Sequence, residues 1–193
     1  TENLRPQPTI DTRLTDDDGS MVCTIVPPLF SELTAEQEAQ LAVFPAVTED
    51  DWTKGPADAI ITVIEYTDFQ CPYCSMAYEE FEKLMEMYPN DVRLVYRSLP
   101  LVGLHPHATV AAQAAEAAGE QDMFWEMYAA LFSNQSEWSN LSAEDFMTWL
   151  NAEAETLGLD VERFSEDTVS EDIQNKIQGE IEYANSIGLG STP

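Results

Sequence analysis

Between residues 60 and 98 the apolar positions change period twice. "IITVIEYT" (60–67) is a dense Ile/Val run, the pattern of a buried strand. From Cys74 the spacing opens to threes and fours: Cys74, Tyr78, Phe81, Met85 and Tyr88 recur with Ala77 and Leu84 beside them, while Glu79, Glu80, Glu82 and Glu86 fall elsewhere. This predicts an amphipathic helix, closed by Pro89-Asn90. "DVRLVYRSL" (91–99) then alternates Val92, Leu94 and Tyr96 against Arg93 and Arg97, which predicts a second strand with a polar outer face. Strand, helix and strand together suggest a right-handed βαβ unit with parallel strands.

Residues 107–187 carry helical patterns only. "HATVAAQAAEAAGE" is Ala-rich with Gly119 as its stop, and "QDMFWEMYAALF" puts Phe124, Met127, Tyr128 and Leu131 on one face. "LSAEDFMTWLNAEAETLG" opens with Ser142 and Asp145 in capping-box spacing and ends at Gly158. "VERFSEDT" is short, and "SEDIQNKIQGEIEYANSIG" aligns Ile173, Ile177, Ile181 and Ala184. Upstream, "MVCTIVPPLF" is an apolar run halted by two prolines, Thr34 and Gln37 predict a short capped helix over 35–43 ended by Pro45, and "VTEDDWTKGPADA" reads as turn. The polar opening, "TENLRPQPTIDTRLTDDDG", reads as a tether. Four parts follow: an amino-terminal arm with a short helix (1–54), a βαβ part (55–104), a helical insert (105–187) and a return segment (188–193).

Composition adds a constraint on partners. The 193 residues include 36 Asp and Glu against 8 Lys and Arg, a formal net charge of −28, spread along the chain rather than gathered in one block. Such a field repels nucleic acid and anionic lipid, and a nucleic-acid role is not expected. No run of about 18 apolar residues could span a bilayer, and the chain opens on Thr1 without an apolar leader, so a preceding targeting segment is expected to have been removed or omitted.

The candidate chemistry is Cys71-Pro72-Tyr73-Cys74. A metal clip needs four ligands, but there is one Cys pair here, with Cys23 far upstream and His105 and His107 on unrelated elements, so no metal or cofactor is expected. A predicted strand, then cysteine, then helix places Cys71 at a helix N-terminus, where free N–H groups and the macrodipole stabilise a thiolate. Pro72 suits the first helical turn, and Cys74 falls on the apolar stripe. We therefore expect one exposed, acidic sulfur and one sheltered one, the asymmetry that thiol–disulfide exchange needs. Glu65 sits inside the apolar strand six positions before Cys71; a buried acid there can carry protons to and from the inner cysteine, and a partly exposed strand carboxylate is the plainer alternative. His107 reads as a helix-start residue, and neither histidine is assigned to catalysis.

"GPADAIITVIEYTDFQCPYC" (55–74), "HPHATVAAQAAEAA" (105–118), the helical insert and "GLGSTP" (188–193) together resemble the DsbA-like branch of the thioredoxin superfamily. The resemblance implies an α/β, thioredoxin-like fold with a helical insert, cut off at the cis-Pro loop. It implies Cys71 as nucleophile, Cys74 as resolving cysteine, Glu65 as the buried acid, and Thr192-Pro193 as the substrate-binding loop with a cis proline. Pro72 and Tyr73 would tune the couple, and Tyr73 departs from the histidine of the most oxidising members, which makes a milder oxidant expected. The activity implied is thiol:disulfide exchange on cysteine-containing extracytoplasmic proteins, with a membrane partner reoxidising the dithiol. A reductase or isomerase would use the same residues, and a thioredoxin-fold accessory subunit of a membrane-associated or extracellular assembly is the rival reading. The family continues past the cis proline with two strands and a helix, so the natural protein is expected to be longer, or a partner to supply those strands. Cys23 reads as a buried free thiol, or as a partner for a cysteine in the expected further segment or in another chain.

Overall fold

The computed structural model describes residues 46–193; the apolar run with Cys23, the helix expected over 35–43 and the tether lie outside the described residues. Three strands form one sheet in the order β1-β3-β2: β1 (Trp52–Lys54), β2 (Ile61–Thr67) and β3 (Val92–Ser98). β2 and β3 are parallel in the register Ile61↔Val92 through Thr67↔Ser98, and helix α1 (Pro72–Met87) connects them. The βαβ expectation holds in its elements and strand direction. The outer edge of β2 pairs with no strand among the described residues, and Ile60 and Ile61 at its start are exposed.

Two readings of this region are corrected. The stretch read as arm and turn contains β1, antiparallel to β3 through Trp52↔Tyr96. Three residues are too few to show a period, and what fixes them is the neighbouring strand. Arg97, expected on a polar outer face, is buried and gripped by both oxygens of Asp51 at 2.9 and 3.1 Å. The reason is that β3 is the central strand and both its faces are covered, so its arginine must take a carboxylate partner inside.

Six helices follow: α2 (Ala108–Gly119), α3 (Phe124–Ser133), α4 (Gln135–Trp138), α5 (Ala143–Thr156), α6 (Val161–Thr168) and α7 (Glu171–Ser186). The Ser142 hydroxyl accepts from the Asp145 N–H and Ser170 from Ile173 N–H, caps worth about 1 kcal/mol each. In α2 seven alanines are buried, and their small side chains let α3, α6 and α7 all pack closely against it. Gly119 has a reason beyond ending that helix: a Cβ there would overlap the Trp52 ring. Trp52 in turn stacks on Phe124 at 4.5 Å, and Phe124, Tyr96, Tyr128, Phe69, Phe132 and Tyr78 continue as one aromatic cluster. That cluster joins sheet, α1 and α3 directly beneath the start of α1, where the cysteines lie.

Candidate active site: a dithiol beneath a cis-proline loop

Cys71 is the N-cap residue of α1, with Pro72 in the first turn, where the missing N–H leaves no helical bond unmade. Cys74 N–H and Ser75 N–H both donate to the Cys71 carbonyl, which starts the helix and places the two sulfurs within one turn. Both cysteines are free thiols. Cys74 is wholly buried, as its place on the apolar stripe predicts, and Tyr73 stands 68% exposed on the outside of the turn. Cys71 corrects the sequence reading: it is only 4% exposed. Residues Thr192-Pro193, joined by a cis peptide bond, lie over it, and the Cys71 Sγ–H donates to the Thr192 carbonyl at 3.8 Å. The two segments brought together here are 121 residues apart, which no local pattern reports.

The sulfurs differ in their surroundings. Burial pushes the Cys74 thiol up to about 11, opposed by the Thr192 and Thr67 hydroxyls and the Asp68 N–H, and reinforced by the charge of Cys71. Both hydroxyls face the sulfur in weak contacts that fall short of full hydrogen-bond geometry. Glu65 is 3% exposed, which removes the alternative of a partly exposed strand carboxylate. Its Oε2 accepts from the Tyr128 hydroxyl at 2.8 Å, while Oε1 has no partner among the described residues. Burial raises its carboxyl above the ordinary range, with the Tyr128 and Thr67 hydroxyls pulling the other way. Glu65 and Thr67, two apart on β2, share one face of the strand.

The turn "TDFQC" before the helix is held by side chains that sequence reasoning did not assign. Asp68, buried, accepts from Gln70 N–H (2.7 Å), Leu101 N–H (2.8 Å) and His105 Nδ1 (2.7 Å). Gln70 donates to the Ser139 carbonyl and accepts from His107 N–H, each at 2.7 Å. Gln135 donates to the Phe69 and Cys71 carbonyls at 2.8 and 2.9 Å. The backbone around the dithiol thus has its polar groups met by the helical insert, as burial demands. Asp68 and Gln70 carried a faint signal, being polar residues between a buried strand and a buried cysteine; Gln135 carried none. His107 takes the helix-start place expected of it, at the N-cap of α2, and its Nε2 donates to the Leu141 carbonyl. His105 lies near the turn only through Asp68.

A parallel βαβ unit with a dithiol at the helix start, a cis proline opposite it and a helical insert between the two defines a thioredoxin-fold protein of the DsbA-like class. The chain belongs to the thioredoxin family, whose model matches residues 47–193. Among solved structures it is similar to a thioredoxin-like oxidoreductase from Silicibacter pomeroyi DSS-3, 30% identical, covering 76% of this chain and 79% of that one with a TM-score of 0.62. It is also similar to DsbA2 of Pseudomonas aeruginosa, 27% identical over 77% of this chain and 80% of that one, with a TM-score of 0.61. A Na+/H+ antiporter, NhaA 3, of Salinispora tropica is 39% identical over 149 residues, which are 77% of this chain and 22% of the antiporter. The chain therefore spans about a fifth of the length of that curated relative.

Proposed function

We propose that the protein is a disulfide-forming oxidase of cysteine-containing extracytoplasmic proteins, working through Cys71 and Cys74. The observation that carries this reading is the inequality of the two sulfurs. Cys71 caps a helix under a cis-proline loop, whereas Cys74 is sealed in the core with its thiol pushed up to about 11. In the oxidised protein a substrate thiolate attacks Cys71 Sγ and the Cys71–Cys74 bond breaks. Cys74 leaves as a thiolate, disfavoured by burial, and takes a proton from Glu65. A second substrate thiolate then attacks the substrate sulfur of the mixed disulfide, and Cys71 departs, leaving the substrate oxidised and the protein reduced. Thr192 and Pro193 line the substrate side, and Pro72 and Tyr73 tune the couple. A membrane redox partner is the proposed source of new oxidising equivalents, and no metal or cofactor takes part in the exchange itself.

The second reading, favoured by the 39% identity to part of a membrane antiporter, is a thioredoxin-fold module serving a membrane-associated assembly. No helix among the described residues is long and apolar enough to cross a membrane. Oxidative refolding of a reduced, scrambled substrate, run beside Cys71→Ser, separates the readings. The oxidase reading expects the wild type to restore substrate activity and the variant to fail; equal rates would leave only the module.

A further inference from the structure

Three buried oxygens of the site make no hydrogen bond of full geometry among the described residues: Thr67 Oγ1 and Thr192 Oγ1, beside Cys74, and Glu65 Oε1, on the same face of β2 as Thr67. A buried unpaired polar atom costs about 1–3 kcal/mol, so three at one place need a reason. Two of them, Glu65 Oε1 and Thr67 Oγ1, lie in sequence on one face of β2, the face turned toward α1 and α3. Glu65 cannot offer both its oxygens, because Oε2 is held by the Tyr128 hydroxyl at 2.8 Å. Tyr128 is itself fixed by rings on four sides, with Phe69, Tyr96, Trp125 and Phe132 at 5.6, 6.0, 5.1 and 4.9 Å.

Resting on the dithiol reading above, we propose that Thr67 relays the proton between Glu65 Oε1 and Cys74 Sγ, with Tyr128 as the positioning residue that dedicates Oε1 to it. As the Cys71–Cys74 bond breaks, the Cys74 thiolate takes the Thr67 hydroxyl proton and Thr67 takes the proton of the Glu65 carboxyl, which becomes a carboxylate. In resolution of a mixed disulfide the same atoms run backward: Cys74 loses its proton through Thr67 to Glu65 and its sulfur attacks Cys71. A hydroxyl suits this place because it accepts and donates on one oxygen and carries no charge into the core. Threonine at 67 has its hydroxyl beside both the Glu65 carboxyl and the Cys74 sulfur and commits it to no hydrogen bond of full geometry, which leaves it free to serve either. The other titratable groups around Glu65 and its partner are Tyr96 on β3 and Cys74, Tyr78 and Glu82 on α1. Of these Cys74 alone has to change protonation during the exchange.

The test mixes the reduced protein with oxidised glutathione and weighs acid-quenched samples, which separates formation of the Cys71–glutathione adduct from its resolution by Cys74. Circular dichroism checks that each variant is folded, and the rate of adduct formation checks that Cys71 itself is unchanged. We expect Thr67→Val to form the adduct at the wild-type rate and resolve it roughly 10-fold or more slowly, with Thr67→Ser restoring the rate. Tyr128→Phe should shift the acid limb of the resolution profile to higher pH, because the carboxylate loses its donor. In a Glu65→Gln background neither change should slow resolution further. Wild-type resolution by Thr67→Val, or an equal slowing with and without Glu65, would overturn the relay. A wild-type protein that never resolves its adduct would instead overturn the dithiol reading beneath it.

Discussion

Cys74 illustrates how one residue's surroundings set its chemistry. Its side chain is wholly buried in the core cluster, so the thiolate loses the solvation of an exposed one, and the neighbouring Thr192 and Thr67 hydroxyls offset only part of that loss. In a Cys71→Ser variant, alkylation of Cys74 by iodoacetamide should therefore rise only well above pH 9; a midpoint at or below an ordinary thiol's about 8.5 would contradict its burial. The cysteines and Glu65 were legible in the sequence because each is chemically out of place, a Cys-x-x-Cys pair at a strand-to-helix junction and an acid among isoleucines. Tyr128 and Gln135 were not. As written, Tyr128 is one more aromatic on a helix face, and its role exists only because the fold brings its hydroxyl to a carboxylate 63 residues away. The same limit hid the burial of Cys71, which depends on a loop at the far end of the chain.

Among the elements, α7 shows what a helix pays to cover a sheet that ends in backbone donors. Its Glu180 accepts from the Ser98 N–H at the end of β3 at 2.5 Å, while burial pushes its carboxyl up to about 7 from an ordinary 4.5. An acid raised on folding favours the folded state in its protonated form: that stability is complete below about 4.5 and is lost as pH climbs through about 7. The unfolding midpoint should therefore fall between pH 5 and pH 8, and Glu180→Gln should flatten the fall by up to ~3 kcal/mol. Denaturant melts of the two proteins across that range check it, and parallel curves would contradict it. Helices α2, α3, α5 and α7 were readable from their stops, caps and stripes because those signals are local; α4, Gln135–Trp138, is too short to show a period and was not. The strand β1 was not, since Trp52–Lys54 owes its conformation to β3 and to the Trp52 ring seated on Gly119.

At the scale of the whole molecule, the helical insert does more than enlarge the core. Gln135, Tyr128 and His107 reach from it into the turn, the buried acid and the Gln70 side chain, so the reactive corner belongs to sheet and insert jointly. The formal charge of −28 gives the molecule a field that repels nucleic acid and anionic lipid. Since the chain spans about a fifth of the antiporter it resembles, the dithiol's activity is best judged on the exchange itself rather than on any larger assembly. The most direct measurement is a single turnover: protein carrying the Cys71–Cys74 disulfide is mixed with an equimolar reduced dithiol peptide and the products are weighed after acid quench. The account predicts that nearly one disulfide passes to the peptide per protein molecule, through a transient adduct on Cys71. A peptide that stays reduced while the protein keeps its disulfide would contradict it.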